Sequence, residues 1–240
     1  MANGGGSRGR TGGPRRTGGA KPSTPARGRP KAPKRDQSER RQREEPRDFV
    51  LGAIPGATPG KWIGLWRERM PHVTLVLREI AVADQRASLT DLDAALVRLP
   101  MEVDDDLHVI PLYEEQAVVV MSTDSDLTAA DELDRADLAG EVVIVPRDDV
   151  LGTEIPDAVA PAFAPPADTA EAIATVAAGV GVVIVPMSLA RAHQRRDVEY
   201  RVLRDGPGST VALSWLRERT TPDVEAFVGV VRGRTARSSR

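Results

Sequence analysis

Apolar residues occur in short runs from residue 49 onward. The spacing within these runs changes between a period of about 2, typical of strands, and one of about 3.6, typical of helices. In the first part of this region we expect strands at 49–54, 73–79 and 94–99, separated by helices at 58–70 and 84–89. This order predicts a β-α-β-α-β unit.

The remainder of the chain continues the alternation. Further strands are predicted at 107–112, 115–121, 142–145, 182–185, 198–203 and 210–215, and further helices at 168–178 and from Thr221 onward. Alternating strands and helices are typical of an α/β fold with largely parallel sheets. We predict two lobes joined by two crossings, with lobe I formed by residues 49–114 and 209–240 and lobe II by residues 115–208.

Local signals mark where three of these helices begin. Asp168 followed by Glu171 predicts a capping box, and Gly179 is positioned to end that helix in a left-handed conformation. Thr58 and Thr221 each precede a proline, a pattern in which threonine caps the helix and proline takes its first position. We therefore predict helices that begin directly after Thr58, Asp168 and Thr221.

Composition divides the chain near residue 48. Residues 1–48 hold 14 basic and 5 acidic residues and no aromatic residue, whereas the remainder has a net charge of −11. A segment with so few apolar residues cannot bury a core. We predict that residues 1–48 form a disordered basic tail rich in Gly, Pro and Arg, and that residues 49–240 form the folded domain.

A short motif in the basic tail resembles an AT-hook. It consists of Arg27, Gly28, Arg29, Pro30 and Lys31. Glycine lets the backbone approach the floor of the DNA minor groove, proline keeps it extended, and the arginines enter the negative potential of a narrow A/T-rich groove. Two alternatives are a basic tail that contacts only DNA phosphates and a plain linker.

Several classes of protein are excluded. The chain has no cysteine and so no disulfide framework, thiolate nucleophile or cysteine zinc site. The longest mostly apolar stretch, residues 177–187, is too short to span a bilayer, and no apolar segment follows the positively charged N-terminus. We expect a cytoplasmic protein without membrane contact, associated with the nucleoid through its tail.

Three stretches resemble the effector-binding domain of LysR-type transcriptional regulators. They are VTLVLRE at 73–79, LDAALVRLP at 92–100 and DTAEAIATVAAGVGVVIVPM at 168–187. The resemblance extends over nearly all of the chain beyond residue 49. It implies a two-lobed, periplasmic-binding-protein-like (type 2) fold, in which a small molecule, often an organic anion, binds between the lobes and changes the geometry of an oligomer on DNA.

The sequence departs from the family pattern in two places. The basic tail stands where the family has a winged helix-turn-helix and linker helix, so we expect DNA contact through the tail. Residues 148–167 are rich in proline and show no helical pattern where the family has a helix and a strand. The second lobe is therefore expected to be short, with a cleft that is more open or has lost its ligand.

Candidate effector-binding residues follow from where ligands bind in α/β folds. The carboxyl ends of strands and the N-termini of helices meet at the cleft, where free N–H groups favour anions. On this reasoning Gly56, Thr58, Arg98, Arg147 and Thr169 are candidates, with the two arginines holding a carboxylate from opposite lobes. Helix capping and ordinary surface charge explain the same residues without a ligand.

Catalytic and metal-binding alternatives find little support in the sequence. Residues 56–62 are one residue short of P-loop spacing and have Trp62 at its Ser/Thr position. The three histidines are scattered, Ser188 lacks a nucleophile elbow, and the acidic run 104–106 is best explained as a solvated loop. We predict no catalytic residue, metal or cofactor.

Two functional hypotheses remain. The first is a LysR-like sensor of a small molecule that acts in transcriptional regulation and contacts DNA through its basic tail. The second is a protein-interaction module that pairs with full-length LysR-type regulators and modulates them without sensing a ligand. The expected partners are accordingly DNA, a small organic anion, and a second copy or a related chain in a dimer.

Overall fold

The computed structural model describes residues 47–233. Lobe I is built on a five-stranded sheet with the order β2-β1-β3-β10-β4. Its strands are β1 (Arg47–Ala53), β2 (Val73–Glu79), β3 (Ala94–Leu99), β4 (Leu107–Glu115) and β10 (Ser209–Leu216). Helices α1 (Gly60–Arg69), α2 (Gln85–Ser88) and α5 (Pro222–Val231) complete the lobe.

An aromatic cluster forms the centre of the lobe I core. Phe49 of β1, Trp66 of α1 and Phe227 of α5 are buried, with ring centroids 4.8 to 5.7 Å apart. The Trp66 indole also donates a hydrogen bond to the carbonyl oxygen of Val73, at 3.0 Å. Tilted aromatic packing of this kind fixes α1 and α5 against the sheet. It therefore holds the turn between β1 and α1 in place.

Lobe II has a second five-stranded sheet with the order β6-β9-β5-β8-β7. Its strands are β5 (Ala117–Ser122), β6 (Glu132–Leu133), β7 (Val143–Ile144), β8 (Val182–Pro186) and β9 (Val198–Leu203). Helix α3 (Thr169–Ala177) packs on the sheet through Ala172, Ile173 and Val176, and helix α4 (Met187–Ala192) follows β8 directly. The predicted α/β architecture on two sheets is confirmed.

The expectation of largely parallel sheets is wrong, because both sheets are mixed. In lobe I, β1 runs parallel to β2 and β3, whereas β10 runs antiparallel to β3 and β4. In lobe II, β5 is antiparallel to β8 and β9. The chain crosses into lobe II near Gln116 and returns to lobe I over residues 204–208. The returning strand β10 then enters the first sheet between β3 and β4, antiparallel to both.

The helix starts agree with the sequence in two of three cases. The Asp168 carboxylate accepts from the N–H of Glu171 at 2.8 Å, and the Thr221 hydroxyl accepts from the N–H of Val224 at 3.3 Å. The capping box at Asp168 is wrong, however, since the Glu171 carboxylate accepts from the N–H of Ala167 instead of that of Asp168. The predicted cap at Thr58 is also wrong, because Pro59 takes the N-cap position and no side chain caps α1.

The region between β7 and α3 contains no helix, as the proline content indicated. It contacts the sheet through a bridge between Val142 and Val159 and packs Leu151, Ile155 and Ala158 against the lobe II core. The strand predicted at 142–145 is reduced to Val143 and Ile144, since Val145 is 50% exposed and does not join the ladder. The edge strand of the lobe II sheet is thus short.

Candidate ligand-binding cleft

A cavity of about 670 Å³ lies between the two lobes. It is lined by residues 56–58 and 113–116, and by Met187, Ser188, Arg191 and Ala192 of α4. Lobe I therefore supplies the turn before α1 and the end of β4, while lobe II supplies one face of a short helix. Cavities of roughly 300–1,000 Å³ accommodate small organic ligands, so the size suits a small-molecule site.

The turn after β1 brings lobe I into contact with α4. Gly56 has a φ of +83°, a left-handed conformation that suits glycine. A Cβ atom at this position would lie only 2.4 Å from the Ser188 Oγ. Glycine is therefore required here both by the backbone conformation and by the close approach of the two lobes.

Glu115 joins the lobes by hydrogen bonds at the end of β4. Its Oε2 accepts from the Arg98 Nη1 at 2.8 Å and from the Ser188 Oγ at 2.9 Å. Arg98 and Ser188 belong to β3 and α4, so one carboxylate oxygen binds a donor from each lobe. The side chains of Arg98 and Glu115 are only 2% and 9% exposed, and burial strengthens such charge-assisted bonds.

Arg98 is held firmly but is not fully paired. Its backbone N–H donates to the Gln85 side chain at 2.8 Å, and its carbonyl oxygen accepts from the same amide at 2.9 Å. The Nη1 also donates to the Ser209 Oγ at 2.5 Å. Within residues 47–233, the buried Nε and Nη2 atoms have no hydrogen-bond acceptor. Buried donors are normally paired, so this guanidinium has more donors than its surroundings satisfy.

Tyr113 and Arg191 add hydrogen-bond donors to the cavity wall. Burial, followed by the nearby Glu115 carboxylate, raises the pKa of the Tyr113 hydroxyl above its usual value, and Arg98 offsets this in part. The hydroxyl therefore stays protonated at neutral pH. Arg191 is exposed on α4 and its Nε donates to the Tyr200 hydroxyl at 3.3 Å. The wall thus combines a phenol, a guanidinium and a paired carboxylate.

The structure brings together some of the residues predicted from the sequence. Gly56 and Thr58 line the cavity, and Arg98 lies directly behind Glu115. Arg147 and Thr169 are not among the lining residues. Arg147 is exposed, with its N–H donating to the carbonyl of residue 166, and the buried Thr169 hydroxyl donates to Asp148 at 3.0 Å.

The AT-hook-like residues of the tail, Arg27, Gly28, Arg29, Pro30 and Lys31, lie outside the described residues.

Four residues of the cleft were not predicted from the sequence: Tyr113, Glu115, Ser188 and Arg191. One usable signal was the charged pair Glu114 and Glu115, one residue before the apolar run 117–121 at the predicted crossing.

Within residues 47–233, no group of three or more His, Asp or Glu side chains is arranged to hold a metal ion. In the same range, no helix combines the length and apolar character needed to cross a membrane. The lining described above contains oxygen and guanidinium groups suited to hydrogen bonding, and its chemistry is that of a binding site for a polar organic molecule.

Comparison with known proteins identifies relatives of this architecture. A family model described as the LysR substrate binding domain matches residues 43–236. The reduced OxyR regulatory domain from Pseudomonas aeruginosa is 23% identical with a TM-score of 0.62, covering 79% of this chain and 96% of that one. The BenM effector-binding domain, solved with its effector benzoate, is 19% identical with a TM-score of 0.63, covering 79% and 95%.

A further solved structure, the oxidised form of OxyR, is 21% identical with a TM-score of 0.64 and covers 78% of this chain and 95% of its own. Comparison with curated protein sequences gave no match. The likenesses confirm the predicted two-lobed, periplasmic-binding-protein-like (type 2) fold. They also match the resemblance noted in three stretches of the sequence.

Proposed function

This chain belongs to the LysR substrate-binding-domain family, and on that premise we propose that it senses a small organic anion between its lobes and acts in transcriptional regulation. The observation that carries the proposal is the interlobe cavity, whose walls come from both lobes. A ligand that contacts both walls can change the angle between the lobes only if it binds more tightly at one interlobe angle than at another. This is the physical requirement for a sensor.

The cleft wall holds the carboxylates of Glu114 and Glu115 and the guanidinium of Arg191, with Arg98 behind Glu115, and the proposal of an anion rests on the two guanidiniums. Glu115 is paired with Arg98, whereas Arg191 faces the cavity with a hydroxyl as its neighbour. The protonated Tyr113 hydroxyl adds a donor. The similar BenM domain binds benzoate, a carboxylate. A carboxylate is therefore the ligand class that these groups suit best, and the proposed role is binding rather than catalysis.

A thermal-shift screen of carboxylates, phosphates and amino acids tests this proposal. A ligand that binds the native state raises the melting temperature by mass action. We expect a carboxylate to do so for the parent chain, with the shift reduced in Arg191→Ala and retained in Arg147→Ala, which changes a residue outside the cavity lining. The absence of any hit at millimolar concentration would contradict sensing, and a hit unaffected by Arg191→Ala would move the site elsewhere.

We further propose that the basic tail supplies DNA contact. Residues 1–35 hold 10 basic residues and no acidic one, while the chain beyond residue 48 has a net charge of −11. Neutralising phosphates releases counterions, so affinity falls steeply with salt. A regulator that binds DNA in this way acts in the cytoplasm, at the nucleoid.

Titration of DNA with the full chain and with a chain starting at Asp48, over several salt concentrations, tests the tail. We expect the shorter chain to lose nearly all affinity, and Arg29→Ala to reduce any preference for A/T-rich duplexes. Equal affinity of the two chains would refute the assignment. Binding without an A/T preference would leave a basic tail that contacts phosphates only.

The second candidate function is pairing with LysR-type regulators, and the edge of the lobe I sheet favours it. Within residues 47–233, β2 pairs with β1 on one side alone, and it exposes Val76 and Leu77, 39% and 48% accessible. An exposed apolar edge strand is suited to association with another chain. Such pairing serves a homodimer or a mixed dimer with a full-length regulator.

A further inference from the structure

We propose that Glu115 is a latch between the lobes that also acts as an internal substitute for the effector, so that an entering carboxylate displaces Glu115 from Arg98 and frees Ser188. The displacement step rests on the proposed function, whereas the latch does not. The Glu115 latch is defined as Arg98, Glu115 and Ser188.

The first observation is that a single oxygen atom connects the lobes. The Glu115 Oε2 accepts from Arg98 in lobe I at 2.8 Å and from Ser188 in lobe II at 2.9 Å. Gly56 lies beside the same serine, where a Cβ atom would collide with its Oγ. The contact between the lobes at this end of the cavity is therefore both hydrogen-bonded and tightly packed, which fixes one angle between them.

The second observation is the surplus of donors on Arg98. A guanidinium presents five N–H groups in a planar fork, and a carboxylate satisfies it best with two parallel bonds. Glu115 bonds the Nη1, which it shares with Ser209, and among residues 47–233 the Nε and Nη2 have no acceptor although the side chain is 2% exposed. The internal carboxylate is thus an incomplete partner, and a second carboxylate would pair the remaining donors.

The third observation concerns access to Arg98. Glu115 and Ser188 line the cavity, while Arg98 does not. The route from the cavity to the guanidinium therefore passes through the Glu115 carboxylate, which must turn toward the cavity before a ligand can reach Arg98. In the proposed displacement, the one Oε2 atom that binds Arg98 and Ser188 leaves both donors together, so the bond to Ser188 breaks as well. Entry of the ligand and loss of the Ser188 contact to lobe II are consequently the same event. Tyr113 on the adjacent wall donates a hydrogen bond to the incoming anion.

The anion site is tested without knowing the effector, by using formate as the probe. Glu115→Ala removes the internal carboxylate and leaves Arg98 open to the cavity. We expect formate at ten times its Kd to raise the Tm of Glu115→Ala by about 3–6 °C over sodium chloride of the same ionic strength. The parent and Glu218→Ala, which removes an exposed carboxylate outside the cleft, keep Glu115 on Arg98, and formate must displace it there, so both should respond to formate less than Glu115→Ala does. An equal response of Glu115→Ala and the parent would overturn the anion site.

The latch is tested through the distance between the lobes. The chain has no cysteine, so Ala174→Cys in α3 and Glu225→Cys in α5 accept one spin label per lobe at exposed positions. Samples diluted with unlabelled chain report distances within one molecule. We expect Ser188→Ala to lengthen and broaden the distance distribution, and Ser88→Ala, a hydroxyl outside the cleft, to leave it unchanged. An unchanged distance distribution in Ser188→Ala would overturn the latch. This test does not use Glu115→Ala, so it decides the matter even if that variant does not fold.

These outcomes separate the latch from the proposed function. The latch would stand and effector sensing would be refuted if formate raises the Tm of Glu115→Ala and Ser188→Ala lengthens the interlobe distance, but no carboxylate in the screen binds the parent chain. Effector sensing would stand and displacement of Glu115 would be refuted if a carboxylate binds the parent and Glu115→Ala equally and formate does not raise the Tm of Glu115→Ala.

Discussion

At the scale of single residues, Gly56 shows how one position can serve both a turn and a contact between lobes. Its φ of +83° opposes a side chain, and a Cβ added there would lie 2.4 Å from the Ser188 Oγ, which would have to shift. We expect Gly56→Ala to lower the free energy of unfolding by about 1–3 kcal/mol, measured by urea denaturation. Gly64→Ala in α1 is the matched control. It has open space around it and should stabilise the chain by about 0.5–1 kcal/mol.

An ion pair between β1 and α5 makes stability depend on pH. The Arg47 Nε donates to Asp223 at 2.6 Å and its Nη2 at 2.8 Å, and this hydrogen bonding, with the charges of Arg47 and His72, lowers the pKa of Asp223. Because the folded pKa lies below the unfolded one, the stabilisation is complete above an unfolded value of about 4 and is lost as the pH falls through the folded value.

Urea midpoints measured between about pH 6 and about pH 3 check this dependence. We expect Asp223→Asn to be less stable than the parent at the upper end and to show a shallower loss toward the lower end. Asp105→Asn, an exposed carboxylate in the 104–106 loop, should follow the parent curve. Parallel curves for the parent and Asp223→Asn would contradict the assignment.

At the scale of elements, the helix caps show one sequence signal that agrees with the structure and one that does not. Asp168 accepts from the N–H of Glu171 at the start of α3, whereas Thr58 makes no capping bond at α1. We expect Asp168→Ala to cost about 1 kcal/mol, measured by thermal unfolding, and Thr58→Ala to show no capping loss. Equal losses would mean that Thr58 caps α1 in solution after all.

Local pattern predicted the bounds of three strands and the starts of two helices. The bounds of β2, β3 and β9 agree with the predicted strands, and α3 and α5 begin at their predicted caps. The two-residue strand β6 and the short helix α4 have too few positions to show a period, and only tertiary contacts define them, whereas the strand predicted at 142–145 is present but shortened to β7. The antiparallel return of β10 was equally invisible, because nothing in a strand's own sequence states which neighbour it joins.

The cleft was less predictable than the fold, for a related reason. Gly56 and Thr58 were identified because a turn before a helix is a local signal, and both line the cavity. Glu115 meets Arg98 and Ser188 across 17 and 73 residues of sequence. Local spacing carries no information about such contacts. The sequence indicated Arg98 as a candidate anion-binding residue, but it could not reveal that the chain already supplies an acceptor, Glu115, for its guanidinium.

At the scale of the whole molecule, the open edge of the lobe I sheet predicts self-association. Val76 and Leu77 are exposed on β2, at the end of the strand order. We expect light scattering to show a dimer of the parent chain that Leu77→Lys shifts toward monomer, since a lysine opposes pairing at a strand edge. Val180→Lys, at an exposed apolar position in lobe II, is the control. A parent chain that stays monomeric at high concentration would contradict the prediction.

The position of β10 between β3 and β4 has a consequence for how the protein is made. Thr210 pairs with Leu99, so the central ladder of lobe I waits for more than a hundred further residues to be synthesised. At about 10 residues per second this is a delay of roughly 10 s. Lobe II is continuous in sequence from β5 to β9 and leaves the ribosome whole during that interval. The inserted lobe is therefore complete first, while the buried strand β3 stays open along one side until β10 arrives.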